Sequence, residues 1–249
     1  MKKIFIILAL TISFSINAQM DDNSANNNSA GTNAVAMGNN TTASGNNSTS
    51  MGYFTTASGN KTTAMGADTT ASDYASLVIG QYNSSGASVT NNATSFSTSN
   101  TAFVIGNGTA SNAKSDAFKV MFNGDTTVSN DLTVNGDVVI SSDARLKSNI
   151  VSLGSTLSKL LQIDGKSYEM KGKQKIGVLA QEIKEVFPEL VSEDDNKMLA
   201  VNYQGLVPVL INALKEQQSE IDELKEQETK YMQQEQRLER LEKLVANMD

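Results

Sequence analysis

Residues 36–52 read Ala36-Met37-Gly38-Asn39-Asn40-Thr41-Thr42-Ala43-Ser44-Gly45-Asn46-Asn47-Ser48-Thr49-Ser50-Met51-Gly52. The Met-Gly pair that opens this stretch closes it 14 residues later, returns at Met65-Gly66, and returns again as Ile79-Gly80. Ala43-Ser44-Gly45 recurs at the same spacing as Ala57-Ser58-Gly59 and Ala71-Ser72-Asp73. Small or β-branched residues precede each Met or Ile: Ala36, Ser50, Ala64 and Val78. A fixed short period predicts a solenoid of stacked coils. Each coil has room for two short strands rich in Thr, with Gly at positions that need positive φ and alternate side chains turned inward. The inward set is thin, two or three small or linear apolar groups per coil, the Met/Ile positions among them. Ordering each residue costs about 1–2 kcal/mol of backbone entropy. One chain therefore buries too little, and self-association has to supply the rest. Three coils around an axis satisfy this, although the repeat does not count chains. Composition alone would also allow a disordered Asn/Ser/Thr linker.

Charge is distributed very unevenly along the 249 residues. From Asp21 to Ala113 the charged residues are Asp21, Asp22, Lys61, Asp68 and Asp73, whereas about a third of residues 142–249 are charged. The formal net charge is −7, and no basic patch points to nucleic acid. The chain holds neither Cys nor His. Disulfides, a Ser-His-Asp triad and a Cys nucleophile are therefore excluded, structural zinc is disfavoured, and no cofactor or metal is expected. Nucleophilic chemistry has to use Ser or Thr, with Lys or a carboxylate as base.

The N-terminus predicts export. Lys2 and Lys3 precede the apolar run Ile4–Ile16, and Ala18 is a small residue suited to a cut. This gives a signal peptide at 1–18, a flexible segment at 19–32, no membrane span after signal removal, and a secreted or cell-surface location. An uncleaved anchor is the alternative, but the run is short for a hydrocarbon core of about 30 Å.

The Ala-Met-Gly and Ala-Ser-Gly units resemble the head repeats of trimeric autotransporter adhesins over residues 33–86. That resemblance implies a left-handed parallel β-roll and a homotrimer, here assigned to 33–113. Asp73 stands where the pattern has Gly, and a related unit returns at Phe103-Val104-Ile105-Gly106. The family's membrane-anchoring barrel is not apparent, which leaves autotransport without support. A β-rich connector is expected over 114–141. Phe118–Phe122 alternates apolar and polar residues, and Asn123-Gly124-Asp125 and Asn135-Gly136-Asp137 supply turns between β-prone runs. A narrow stalk and a pair of hairpins both fit.

Ser141-Ser142-Asp143-Ala144-Arg145-Leu146-Lys147 follows. Taken alone it reads as a polar turn, with Ser142 or Asp143 as an N-cap. Five residues apart, Ser142 and Lys147 share neither a helix face nor a strand face, so they meet only across a turn or between chains. Further on come Ile176-Gly177-Val178-Leu179-Ala180-Gln181-Glu182-Ile183, Val186-Phe187-Pro188-Glu189-Leu190-Val191, Val201-Asn202-Tyr203 and Leu206-Val207-Pro208-Val209-Leu210. This ordered set resembles the C-terminal intramolecular chaperone of endosialidases and phage tail spikes, over residues 142–226. The resemblance implies one autocatalytic cut between Ser141 and Ser142, with Ser142 as nucleophile and Lys147 as general base. Burial, or a neighbouring positive charge such as Arg145, would favour the neutral base. Asp143, Arg145 and Leu146 belong to the motif as support, and no activity on other substrates is expected.

From Tyr203 onward the pattern is helical. Leu206, Val207, Leu210, Ile211 and Leu214 share a face, and Pro208 falls near the start, where it is tolerated. Leu214, Ile221 and Leu224, then Tyr231, Leu238, Leu241, Val245 and Met248 after a phase shift, predict a coiled coil over 216–249 beyond a chaperone domain at 142–215. The expected fold is mainly β in the N-terminal half, a trimeric parallel β-roll head plus β stalk. An α+β chaperone domain follows, ending in a long coiled-coil helix. A non-cleaving adhesin or fibre, whose C-terminal domain only trimerises, is the competing functional expectation. A glycan-cleaving enzyme fits poorly, because the head lacks paired carboxylates in a sizeable globular domain.

Overall fold

The computed structural model describes residues 20–21, 26–194 and 197–247, so the signal-peptide segment and Met248 lie outside the described residues. The chain divides into two compact units between Val139 and Ile140.

The first unit is a solenoid. Five-residue strands β3 (Val35–Asn39), β5 (Thr49–Tyr53), β7 (Thr63–Ala67) and β9 (Leu77–Gln81) stack in parallel, preceded by the short β1 (Met20–Asp21). Two-residue strands β2 (Asn28–Ser29), β4 (Thr42–Ala43), β6 (Thr56–Ala57) and β8 (Thr70–Ala71) form a second parallel sheet. Register follows the sequence period: Met37 pairs with Met51, Met51 with Met65, and Met65 with Ile79. β10 (Thr101–Asn107) then sets Ile105 on Ile79 and Gly106 on Gly80, so the repeat returns after an inserted loop.

The interior differs from the expectation in one respect. Ala36, Ser50, Ala64, Val78 and Val104 are fully buried or nearly so, as are Ala43, Ala57 and Ala71 on the opposite sheet and Thr41, Thr55 and Thr69 at the coil's corner. Met37, Met51, Met65 and Ile79 alternate with the buried column and therefore face away from the interior. The coil is too narrow for Met inside. The interior is closed by methyl groups, each contributing about 0.8 kcal/mol, and the larger apolar groups line the outer face.

Glycine is required where coils approach closely. A Cβ on Gly52, whose φ is 127°, would overlap the carbonyl oxygen of Gly66 in the next coil. Turn positions with left-handed φ fall instead on Asn33, Asn40 and Asn47, and then on Phe54, Lys61, Asp68, Ala75 and Tyr82. Asparagine ladders tie neighbouring coils: the Asn60 side-chain oxygen accepts from the Asn46 backbone N–H at 2.9 Å, and that of Asn46 accepts from Thr32 N–H at 3.1 Å.

Asp73, the departure from Gly, has a structural reason. Its buried carboxylate accepts the Thr90 N–H at 2.6 Å and the Thr101 N–H at 2.8 Å, latching the inserted loop to the last full coil. Beyond β10, the antiparallel strands β11 (Asp116–Met121) and β12 (Thr126–Val128) turn at Asn123-Gly124-Asp125 and cover the end of the large sheet. The first half of the expected connector is thus a hairpin of the head sheet. The second Asn-Gly cycle forms no strand in a single chain. Leu132, Val134, Val138 and Val139 stay exposed there.

The second unit is small. Helix α1 (Leu157–Leu160), hairpin β13 (Lys166–Met170) and β14 (Lys173–Gly177), helix α2 (Ala180–Val186), and hairpin β15 (Val191–Glu193) and β16 (Leu199–Val201) precede α3 (Leu206–Ala246), a single helix of 41 residues. Ile183, Phe187 and Val209 are its buried centre, with Leu160, Ile163, Val178, Val186, Leu190 and Val201 packed against them. Along α3 the seam residues Leu214, Leu224, Tyr231, Leu238, Leu241 and Val245 are exposed. An apolar seam without cover on a long charged helix needs partner helices. Among the described residues no helix is long and apolar enough to cross a membrane.

Candidate functional site

The Ser142–Lys147 segment is shaped by one short turn. Asp143 is extended, and its carboxylate accepts the Arg145 backbone N–H at 2.8 Å, which caps a single 3-10 turn over Ala144–Leu146. The Arg145 guanidinium closes on the same carboxylate as a fork, with Nε at 3.0 Å and Nη2 at 2.7 Å. The Arg145 fork, and then its backbone N–H, hold the Asp143 carboxyl below the usual carboxylate range. Asp143 in turn raises Arg145. Asp143 is therefore anionic at neutral pH, and both residues shape the loop.

Lys147 leaves the turn with extended backbone and donates its N–H to the Ala144 carbonyl. This reverses the chain just enough for Lys147 Nζ to donate to Ser142 Oγ at 2.8 Å. The turn brings together two residues that neither helix nor strand spacing would join. Ser141, Ser142, Lys147 and Leu146 are all exposed in the single chain. Ile150, Val151 and Leu153, just beyond, also face solvent.

The segment is anchored at its far end. Glu216 on α3 accepts from Ser155 Oγ at 2.7 Å, Thr156 N–H at 2.6 Å and Leu157 N–H at 3.2 Å, thereby capping α1. The Ser155 hydroxyl, and then the Thr156 N–H, hold the Glu216 carboxyl low. Thr156 is buried and passes its own hydroxyl to the Val209 carbonyl at 3.1 Å. No feature of the sequence singles out this capping residue, because it sits sixty positions away inside a run of similar charged side chains.

The other motif residues hold the fold. A Cβ on Gly177 would lie 2.7 Å from the Tyr203 hydroxyl and 3.0 Å from that of Tyr168, so the Ile-Gly-Val stretch meets the Val-Asn-Tyr stretch where a larger residue would have to displace both hydroxyls. Tyr203 Oη accepts the Val178 N–H at 3.2 Å, and the Asn202 side chain caps the next turn through the Gly205 N–H at 3.1 Å.

No curated protein matches the chain. Residues 29–55 and 57–83 match two copies of the YadA head domain repeat. Residues 142–192 match the family model described as the chaperone of endosialidase, a peptidase family by name, so the chain places adhesin-type head repeats ahead of a segment similar to that chaperone.

Proposed function

We propose that the chain is an exported homotrimeric fibre or adhesin-like protein whose C-terminal segment is an intramolecular chaperone that drives assembly and cuts the chain once, between Ser141 and Ser142. The observation that carries this reading is the 2.8 Å approach of Lys147 Nζ to Ser142 Oγ across the 3-10 turn. The family match opening at Ser142 itself supports the same boundary.

The nucleophile belongs to the residue just after the scissile bond. Ser142 Oγ attacks the Ser141 carbonyl carbon through a small ring, and a neutral Lys147 accepts the hydroxyl proton. As the C–O ester bond forms, the C–N bond breaks, and the proton passes to the departing Ser142 nitrogen. Water then hydrolyses the ester, leaving a carboxylate on Ser141 and a free amine and hydroxyl on Ser142.

Assembly is the trigger in this reading. The pair is exposed to solvent in one chain. Neighbouring chains drawn in by Leu146, Ile150, Val151 and Leu153 would cover it and disfavour the charged form. A C-terminal seam that trimerises first brings three heads together at high effective concentration. Cleavage then removes the route back to monomers and leaves the fibre kinetically trapped. The openness of the dyad favours one competing reading, a fibre that trimerises without cutting.

A denaturing gel of the purified protein decides between them. Cleavage gives two fragments of similar size, and Ser142→Ala or Lys147→Ala leaves one band. A wild type that stays intact overturns the processing step.

A further inference from the structure

The left-handed turn positions recur every seven residues, and asparagine fills the first four, Asn26, Asn33, Asn40 and Asn47. Asparagine suits that conformation. On the corner that follows each Met-Gly pair the residue type then changes: Phe54 adopts φ 51°, Asp68 52° and Tyr82 44°. A bulky aromatic residue at positive φ costs on the order of 1–3 kcal/mol, and such strain concentrates at binding sites. Core packing does not explain Phe54, which is 46% exposed beside Tyr53 at 53%. Their rings meet edge to face at 4.6 Å.

The backbone stacks these turns into one column. Phe54 N–H donates to Asn39 O at 2.9 Å, Asp68 N–H to Tyr53 O at 2.8 Å, and Tyr82 N–H to Ala67 O at 3.2 Å. Adjacent coils stand about 4.8 Å apart, so two aromatic residues flank Asp68 at about 10 Å from each other. The Asp68 carboxylate beside the Tyr82 hydroxyl, by hydrogen bonding and then by its charge, keeps the phenol protonated to higher pH than usual. The corner therefore offers exposed aromatic surface beside a carboxylate acceptor.

We propose that Tyr53, Phe54, Asp68 and Tyr82 form a binding site for an uncharged glycan chain, with sugar faces lying on the rings and sugar hydroxyls donating to Asp68. The ligand has to present flat apolar faces edged with hydroxyl donors, which describes a pyranose. Acidic sugars are disfavoured by Asp68 and by the lack of a nearby cation. Lys61, the one basic residue between 4 and 113, sits on the other column of turns, with Nζ 2.8 Å from the Tyr74 hydroxyl and 5.2 Å from its ring centroid. This site belongs to the roll and does not depend on cleavage.

The test is affinity electrophoresis of the full chain in native gels containing a neutral glucan, mannan or galactan, with polygalacturonate as the acidic control. The wild type is retarded by at least one neutral polymer and not by polygalacturonate. Phe54→Asn places the residue best suited to left-handed φ on the turn, so the roll stays folded, and Tyr82→Ala removes the second ring. Each weakens retardation about tenfold or more, the scale of losing an aromatic anchor, while crosslinking still gives the wild-type oligomer. Absence of retardation by every neutral polymer, or undiminished retardation of Phe54→Asn, overturns the proposal. So does loss of the oligomer in either variant, which would make the corner a contact between copies of the chain.

Discussion

Thr156 and Glu216 lie sixty residues apart in sequence, and the Thr156 N–H meets the Glu216 carboxylate at 2.6 Å. Through this contact the exposed segment that begins at Ser142 is tied to the helix that carries the apolar seam. α1 is a single turn and could not hold that segment by itself. The cap therefore couples the place where chains are proposed to join with the place where one is proposed to be cut.

That coupling is pH-dependent, with a sign fixed by the direction of the shift. The folded-state carboxyl of Glu216 is depressed by Ser155 Oγ and the Thr156 N–H. Its stabilising contribution is complete above the unfolded value near 4.3 and is lost as pH falls through the lower folded value. Protection of the Thr156 and Leu157 amides, taken relative to their intrinsic exchange at each pH, should be high at pH 7 and lost as pH falls through the depressed Glu216 value. In Glu216→Ala those amides should show little protection at any pH. Protection that survives the substitution would show that α1 is held by something other than this cap.

Asp143 separates two contributions at the turn. Asp143→Asn keeps a side-chain oxygen for the Arg145 N–H but loses the charged fork, whereas Asp143→Ala loses both. Self-cleavage, followed as the half-time for loss of the full-length band, should slow in the order wild type, Asn, Ala. Because Asp143 is held in its charged form below the usual carboxylate range, wild-type cleavage should show no acid limb from this group near neutral pH. Equal rates in all three proteins would leave the turn without a positioning role.

Much of this was legible in the sequence. The 14-residue period fixed the coil and its register, because a parallel stack repeats backbone contacts at identical positions, and the Val-Ile-Gly unit at 104–106, which lies off that period, marked the return. The direction of Met51 was not legible. Period gives position, and only the width of the coil decides which face of the strand is inside. The helical pattern from Tyr203 was legible, but the cap by Glu216 was hidden among similar acidic residues. The meeting of Ser142 with Lys147 depends on a turn whose cap could be narrowed beforehand to Ser142 or Asp143, while its geometry could not be read.

Asp73 offers a test of the head alone. Removing its carboxylate in Asp73→Ala leaves the buried Thr101 N–H without its acceptor and frees the inserted loop at Thr90. An unsatisfied buried donor costs about 1–3 kcal/mol, so thermal unfolding of the head should fall by several degrees. Asp73→Gly, although it restores the repeat pattern, should be no better. Asp73→Asn keeps one acceptor oxygen and should fall between the wild type and these two variants. A Gly variant as stable as the wild type would mean that the repeat tolerates either residue and the latch is incidental.

The outward Met column separates folding of one coil from association of several. Ser50 and Met51 are neighbours on one strand but point to opposite faces, the first fully buried and the second on the outer side. Ser50→Leu overfills a coil that elsewhere holds Ala and Ser at that level, so it should unfold the roll, with loss of the β-sheet signal in circular dichroism. Met51→Glu leaves the interior unchanged and places a charge on the outer face of the roll, where contact with another chain would bury an unpaired carboxylate at a strong cost. It should weaken assembly of the head while the second unit still associates through the α3 seam. Crosslinking at several concentrations reads the difference: the variant should retain oligomers held by α3 but lose the protease resistance of residues 33–113. A Met51→Glu head that stays as resistant as the wild type would show that the Met face is not where the chains meet. The roll would then have to gain its missing burial from another surface.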